Sequence, residues 1–427
     1  MKSLAVIVIA VLASSAGAAR AGEDSAPGGL TQFLQAQNIS GTARTNYFRS
    51  SKRLDDDTDF LGATVQLKVL PNVTDTLDAK FEVRATHPVI GEGGGTTIRV
   101  LEGYATAHFA AVDVRIGKQI VAWGRADGIN PTDNLTPRDY TVLLPFDDDQ
   151  RFGTVAVKLD AYLSPTHTLT VFTAPFFEPS DIPRSADGGT VIEKMPLRTF
   201  SYSGIGIKLD KIGEGFDWSV SYFHGFSVLP EMRLLGSNAL GPVLELHYDR
   251  IDVLGADFAR NFGRFGLRGE VAYVNTDDET GNDAGIKNPY WFGVIGIDRT
   301  FFENLNINLQ FFQRRIRSYH NPEEIVDIGE RRIAMQNAIL DGQRDRINNG
   351  ISFRISNKWF NDTLELEIFS VVNVTRHDNL IRPLLTYAFS DHWKGALGAE
   401  LYRGAADTQF GGLKQNRGAF AEVRYGF

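Results

Sequence analysis

No cysteine occurs in the 427 residues, so the chain forms no disulfide, offers no thiolate and has no lipid-attachment site at a cleavage point. Positive charge is also short: 44 Lys and Arg against 52 Asp and Glu give a formal net charge of -8, which argues against a nucleic-acid partner. Long apolar runs are missing beyond the N-terminus. The one there, Leu4 to Leu12, follows Lys2 and leads into the small residues Ala13 to Ala19. It is too short for the ~20 residues of a helical span. A positive end, a short apolar core and small-residue sites at Ala16-Gly17-Ala18 and Ala19-Arg20-Ala21 make a secretory signal, with cleavage expected within 18–21. Residues 1–21 are therefore read as a Sec-type export signal and residues 22–427 as a single domain. With no further apolar run and a mean hydropathy of -0.17, the rest is too polar for a helical membrane bundle.

What the chain has instead is a period of two. Leu61, Ala63, Val65, Leu67 and Val69 alternate with Gly62, Thr64, Gln66 and Lys68. Leu77 to Ala85, Val155 to Leu163, Ile307 to Phe311 and Leu364 to Ile368 repeat the pattern. Successive side chains of a strand point to opposite faces, so each segment has one apolar and one polar face. The segments run roughly ten to fourteen residues, enough for the ~9–11 of a tilted bilayer crossing. Lipid outside and an aqueous lumen inside satisfy both faces, and closure removes the unpaired edges that hydrocarbon does not tolerate. Tight turns at Pro71-Asn72-Val73, Ser164-Pro165-Thr166, Gly213-Glu214-Gly215, Asn261-Phe262-Gly263, Glu303-Asn304, Asn361-Asp362 and Asp391-His392 alternate with longer polar stretches. Those stretches are 50–57, 90–96, 125–151, 178–198, 230–242, 277–289, 320–344, 376–379 and 405–416. The expected fold is all-β: a transmembrane antiparallel barrel of about eighteen strands (sixteen as the alternative), with short periplasmic turns and long outer loops. Aromatic pairs such as Tyr47-Phe48, Phe176-Phe177, Tyr290-Trp291-Phe292 and Trp359-Phe360 are expected in interfacial girdles. The segment from Asn321 to Gln343 reads as partly helical, either on a loop or folded into the lumen.

At the C-terminus Ala419, Ala421, Val423, Tyr425 and Phe427 alternate with Phe420, Glu422, Arg424 and Gly426. This resembles the assembly signal of outer-membrane barrels, and the resemblance implies that Tyr425 and Phe427 are presented to the barrel-assembly machinery of a Gram-negative outer membrane. Lipid and lipopolysaccharide are then the expected surroundings.

Little remains for other work. Neither a plug domain, nor repeated periplasmic domains, nor a coiled-coil stalk is visible. His320 beside Glu323 and His377 beside Asp378 offer pairs for a rim hydrolase, but no motif of such enzymes accompanies them, and a solvated rim is the better reading. The chain is expected not to be an enzyme. Gly91 to Thr96 lacks the lysine of a phosphate loop and is read as flexible. The acidic runs 55–57 and 147–149 are read as solvated, and no metal site or cofactor is expected.

The most informative segment is 113–153, counted as the fifth strand and third outer loop. Gly117-Lys118-Gln119, Trp123-Gly124, Asn130-Pro131-Thr132-Asp133 and Pro137-Arg138-Asp139-Tyr140 resemble a segment of a poorly characterised group of proteobacterial porin-like barrels. The resemblance implies a porin-like channel for small hydrophilic solutes, without naming a cargo. In general porins the third loop folds inward, so Arg125, Asp127, Asp133, Arg138, Asp139 and Arg151 are the candidate constriction. Pro131 and Pro137 stiffen the loop by fixing φ. The same charges could instead pin the loop to the wall, and both can hold. Candidate lumen charges are Arg84, Arg115, Arg314, Arg354, Arg382 and Arg424, set against Glu365 and Glu367 with Glu82, Glu400 and Glu422. Neither sign prevails. A channel dedicated to one cargo, such as an exopolysaccharide or an apolar compound, is the second reading and a rim hydrolase the third. Monomer and trimer both stay open.

Overall fold

The computed structural model describes residues 38–54, 57–87, 95–142, 147–183, 189–239 and 241–427. Residues 1–21, expected to be a signal, residues 55–56 of the first acidic run and most of the glycine-rich stretch lie outside them. The wall begins with β1 (Ile39–Leu54), β2 (Asp57–Val69), β3 (Leu77–His87), β4 (Thr97–His108), β5 (Val112–Gln119) and β6 (Thr154–Tyr162). It continues with β7 (His167–Ala174), β8 (Gly204–Lys211), β9 (Asp217–Phe226), β10 (Arg250–Phe262), β11 (Phe265–Thr276) and β12 (Tyr290–Phe301). It ends with β13 (Leu305–Ile316), β14 (Ile347–Trp359), β15 (Leu364–Asn373), β16 (Asp378–Ala388), β17 (Trp393–Arg403) and β18 (Gly418–Gly426). Each strand pairs antiparallel with the next, and β18 pairs with β1 from Thr42↔Gly426 to Ser50↔Gly418, closing an eighteen-strand barrel.

Burial runs opposite to that of a soluble protein. Leu254, Ile295, Leu309 and Leu397 are about half exposed, while Asp257, Glu270, Gln310 and Glu422 on the alternate face are buried to 5% exposure or less. An apolar exterior over a polar interior suits hydrocarbon outside, where water would make it an aggregation surface. At the short-turn end Phe109, Phe262, Phe302, Phe360 and Phe389 stand exposed in a ring. The turn at Phe302 (φ 49°) and Glu303 (φ 71°) has both central residues left-handed, the type that matches strand twist.

Two sequence expectations need correction, and one open alternative is decided. The stretch 50–57 is not all loop, because β1 runs to Leu54 with Leu54 opposite Asp57. Phe48 and Phe292 are not girdle residues. Phe48 packs inside with Phe60, Leu384 and Phe420, and Phe292 packs on the interior Phe312. The helix foreseen within 321–343 is α1 (Ile328–Leu340), N-capped by Asp327 accepting the Glu330 N–H, and it packs on the outer loops rather than filling the lumen. There the Asn337 side chain pairs with both backbone groups of Met232, at 3.0 and 2.8 Å. Met232 belongs to a small outer sheet of three strands, Thr190–Lys194, Glu231–Asn238 and Gly241–His247.

Candidate functional site: the third outer loop and the lumen

Strand β5 delivers the third outer loop, residues 120–153, into the barrel. Gly117 accounts for the first element of the segment. Its φ is +132°, and a Cβ there would lie 2.7 Å from the Tyr104 Cα, so only glycine lets the strands meet. Val121, Trp123 and Leu135 then bury themselves against inward-facing Phe172, Phe223, Ile251, Val253 and Ala272. The wall makes room for the indole at Gly206, where a Cβ would come within 2.8 Å of the Trp123 ring. The loop thus has an apolar foot inside a polar lumen, which fixes where its charged part begins.

That part is held by wall charges of opposite sign. Register places Asp210, Ser219, Asp257 and Glu270 in one row across β8 to β11, all facing inward. Arg125 reaches Asp210 at 2.5 Å and also pairs with Asp257. Glu270 accepts four donors of the loop: the N–H groups of Arg125 (3.1 Å), Ala126 (3.3 Å) and Thr132 (2.7 Å), and the Thr132 hydroxyl (2.8 Å). Gly124 (φ +94°) permits this, because a Cβ would lie 2.5 Å from the Glu270 carboxylate. Further on, Asp127 pairs with Arg354 of β14 at 3.0 Å, and its backbone N and O lie 2.8 and 3.0 Å from the Gln310 amide. Asp139 pairs with Arg99 of β4 (3.5 Å), Asp149 pairs with Arg44 of β1 (2.6 Å), and Arg84 of β3 donates to the Asp149 carbonyl. The basic end of the loop is on an acidic wall and its acidic end on a basic wall, so the segment is lashed to strands on both sides of the lumen. Asp149 is paired rather than solvated, a correction to the reading of its run; the side chains of Asp147 and Asp148 lie outside the description.

The six candidate constriction residues divide by role. Arg125 and Asp139 are tethers. Asp133 takes both Arg138 (3.3 Å) and Arg151 (2.6 Å), whose backbones form an antiparallel bridge. Asp127, Arg138 and Arg151 line a chamber of about 660 Å³ beside the loop, closed on the other side by Arg354, Glu365, Glu367 and Arg382. All six candidate lumen arginines and both glutamates fall on the inward face, but only these four border the chamber. Arg84 is under the loop, Arg115 stacks on Tyr104 at 4.3 Å, Arg314 on Phe292 at 4.5 Å, and Arg424 pairs with Glu422 at 2.9 Å. Sequence reasoning missed Asp210, Asp257, Glu270, Arg44 and Arg99. Alternation marks each as inward, yet nothing local says which loop residue it meets.

The outer mouth has its own buried charges. Lys287 pairs with Glu231 and Asp341, both at 2.9 Å, joining the loops after β9, β11 and β13. Burial, and then the nearby Asp341 carboxylate, push the Glu231 carboxyl well above its ordinary range. Burial would lower the Lys287 ammonium, but Asp341 and Glu231 outweigh it and raise it well above its usual value. Two carboxyl groups thus share one buried ammonium, so folding favours a proton on Glu231. A carboxyl raised by folding stabilises below its unfolded value and loses that contribution as pH rises through the folded one. Trypsin cleavage at Arg331 and Arg332 of α1, normalised to an unstructured peptide at each pH, should therefore accelerate as pH rises, and Glu231→Gln should flatten the rise. An unchanged profile in that variant would refute the assignment.

The histidine–acid pairs considered for a rim hydrolase are not assembled: Glu323 pairs with Arg344 at 2.9 Å, and Asp378 accepts the Phe410 N–H at 2.6 Å. Among the described residues there is no group of three metal-ligating side chains.

No protein-family model matches the sequence, and no curated protein matches it. Solved structures do. Acinetobacter baumannii OccAB1 superposes with a TM-score of 0.56 at 11% identity, over 91% of this chain and 96% of that one. Pseudomonas aeruginosa OccD3 (OpdP) gives 0.54 at 11% identity, over 91% of each chain. The chain has the porin fold. At that identity the likeness concerns the fold alone.

Proposed function

We propose that the protein is a porin-type diffusion channel of a Gram-negative outer membrane, delivered there by its N-terminal signal, with the third loop as its constriction. The carrying observation is the loop lashed to walls on both sides, leaving a polar chamber of about 660 Å³ beside it. A soluble or purely structural barrel has no use for buried charges at such density, since each unpaired one is costly. In a water-filled lumen they hold a loop while presenting polar groups to solutes. Proteoliposomes carrying the purified protein should swell rapidly in small neutral sugars such as arabinose and more slowly as sugar size grows. Equal swelling with and without correctly folded protein would refute the channel.

A further inference from the structure

The lumen charges are not mixed at random, and their partition points to a solute class. On one side of the chamber two guanidinium groups, Arg138 and Arg151, share the single carboxylate of Asp133. The other side has the reverse ratio. Arg354 is divided between Asp127 (3.0 Å) and Glu367 (2.5 Å), Glu365 faces the same space, and Arg382 has Glu400, outside the chamber, at 3.8 Å. Two cations thus meet three carboxylates at this pole, against two cations and one carboxylate at the other. The rest of the lining includes the apolar Ile129, Val371, Leu380 and Leu384, and Phe369, on whose ring Arg354 and Arg382 stack at 4.8 and 5.4 Å.

Resting on the channel reading above, we propose that the chamber favours zwitterions, solutes bearing one carboxylate and one ammonium group on an apolar body. The carboxylate is received by the Arg138–Arg151 pair, whose fixed forks suit its two oxygens. The ammonium is received by Glu365 and Glu367, and the body lies along Val371, Leu380 and Leu384. A solute with only one charge meets one favourable pole and one repulsive pole, whatever its sign. The chamber falls within the ~300–1,000 Å³ of small-molecule sites.

The test compares three solutes of similar shape: leucine, 4-methylpentanoate and 3-methylbutylammonium. Initial flux into proteoliposomes held at zero potential is measured beside arabinose. Leucine should enter several-fold faster than either ion. Arg138→Gln, which leaves Arg151 on Asp133, should slow leucine and admit more of the cation, and Glu365→Gln should slow leucine and admit more of the anion. Heat-modifiable gel migration identical to wild type shows an intact barrel in both, and each flux is read as a ratio to that of arabinose through the same variant. If arabinose enters but leucine is no faster than the ions, the zwitterion assignment falls and the channel stands. If arabinose does not enter either, both fall together.

Discussion

Replacing Glu270 by alanine should release the third loop and raise single-channel conductance, with flicker between the wild-type level and a larger one. The carboxylate accepts four donors of the segment from Arg125 to Thr132, and it is 4% exposed. Each buried donor left without a partner costs about 1–3 kcal/mol, so losing even two favours undocking by more than a tenfold population change. Arg125→Ala should act in the same direction, since removing one partner of a buried ion pair costs about 3–5 kcal/mol. It is buffered here, because Asp210 keeps Lys208 at 2.5 Å and Asp257 keeps the Ser219 hydroxyl. The apolar foot of Val121, Trp123 and Leu135 is untouched by either change, so the barrel should still form. Heat-modifiable gel migration identical to wild type, together with altered conductance, is the expected signature. Unaltered conductance in a folded Glu270→Ala channel would mean that the loop position does not limit the current.

The second large effect is at the seam. Gly41 N–H donates to the Phe427 carbonyl at 3.0 Å, and Phe427 N–H to the Gly41 carbonyl at 3.1 Å. A Cβ at Gly41 would lie 2.5 Å from the Gln66 carbonyl oxygen and 2.7 Å from the Phe427 ring. Gly41→Val therefore places a branched side chain where a backbone atom stands, at the edge where β18 must find β1. Without that pairing both edges are left with unsatisfied groups in hydrocarbon. The variant should fail to give the heat-modifiable folded species, and the chain should be degraded or found in aggregates. Phe427→Ala should be milder in refolding assays, because the backbone pairs survive and Tyr425 still packs on Trp393 at 5.0 Å. A Gly41→Val chain that refolds with wild-type yield would contradict this account of closure.

The barrel was legible because its physics is local. Alternation in Leu61 to Val69 or Ile307 to Phe311 requires only that neighbours face opposite ways, and Glu303-Asn304 and Asn361-Asp362 announce their own turns. Misread aromatics show the limit of that reading. Phe48 sits near a strand end like its neighbour Tyr47, but it shares parity with Arg44 and Asn46, so its face could have been read from the alternation itself. The loop's partners were hidden for a different reason. Arg125 meets Asp257 across 132 residues, and Thr132 meets Glu270 across 138. No spacing rule connects such positions; the strand register does, and register is set by the closed sheet as a whole. The same holds for the two poles of the chamber. Along the sequence neither sign of the lumen charges prevails, and only their placement in space distinguishes one side from the other.

The most direct test of the channel and its constriction uses the absence of cysteine. Asn130→Cys introduces the only thiol in the chain, on the loop segment that borders the chamber. The purified variant is reconstituted in planar bilayers, and its single-channel current is followed before and after addition of a bulky thiol-reactive sulfonate. The account predicts stable discrete steps that fall sharply on modification and recover with reductant, while the wild-type channel does not respond. A silent bilayer from correctly folded protein, or steps indifferent to complete modification at position 130, would contradict it.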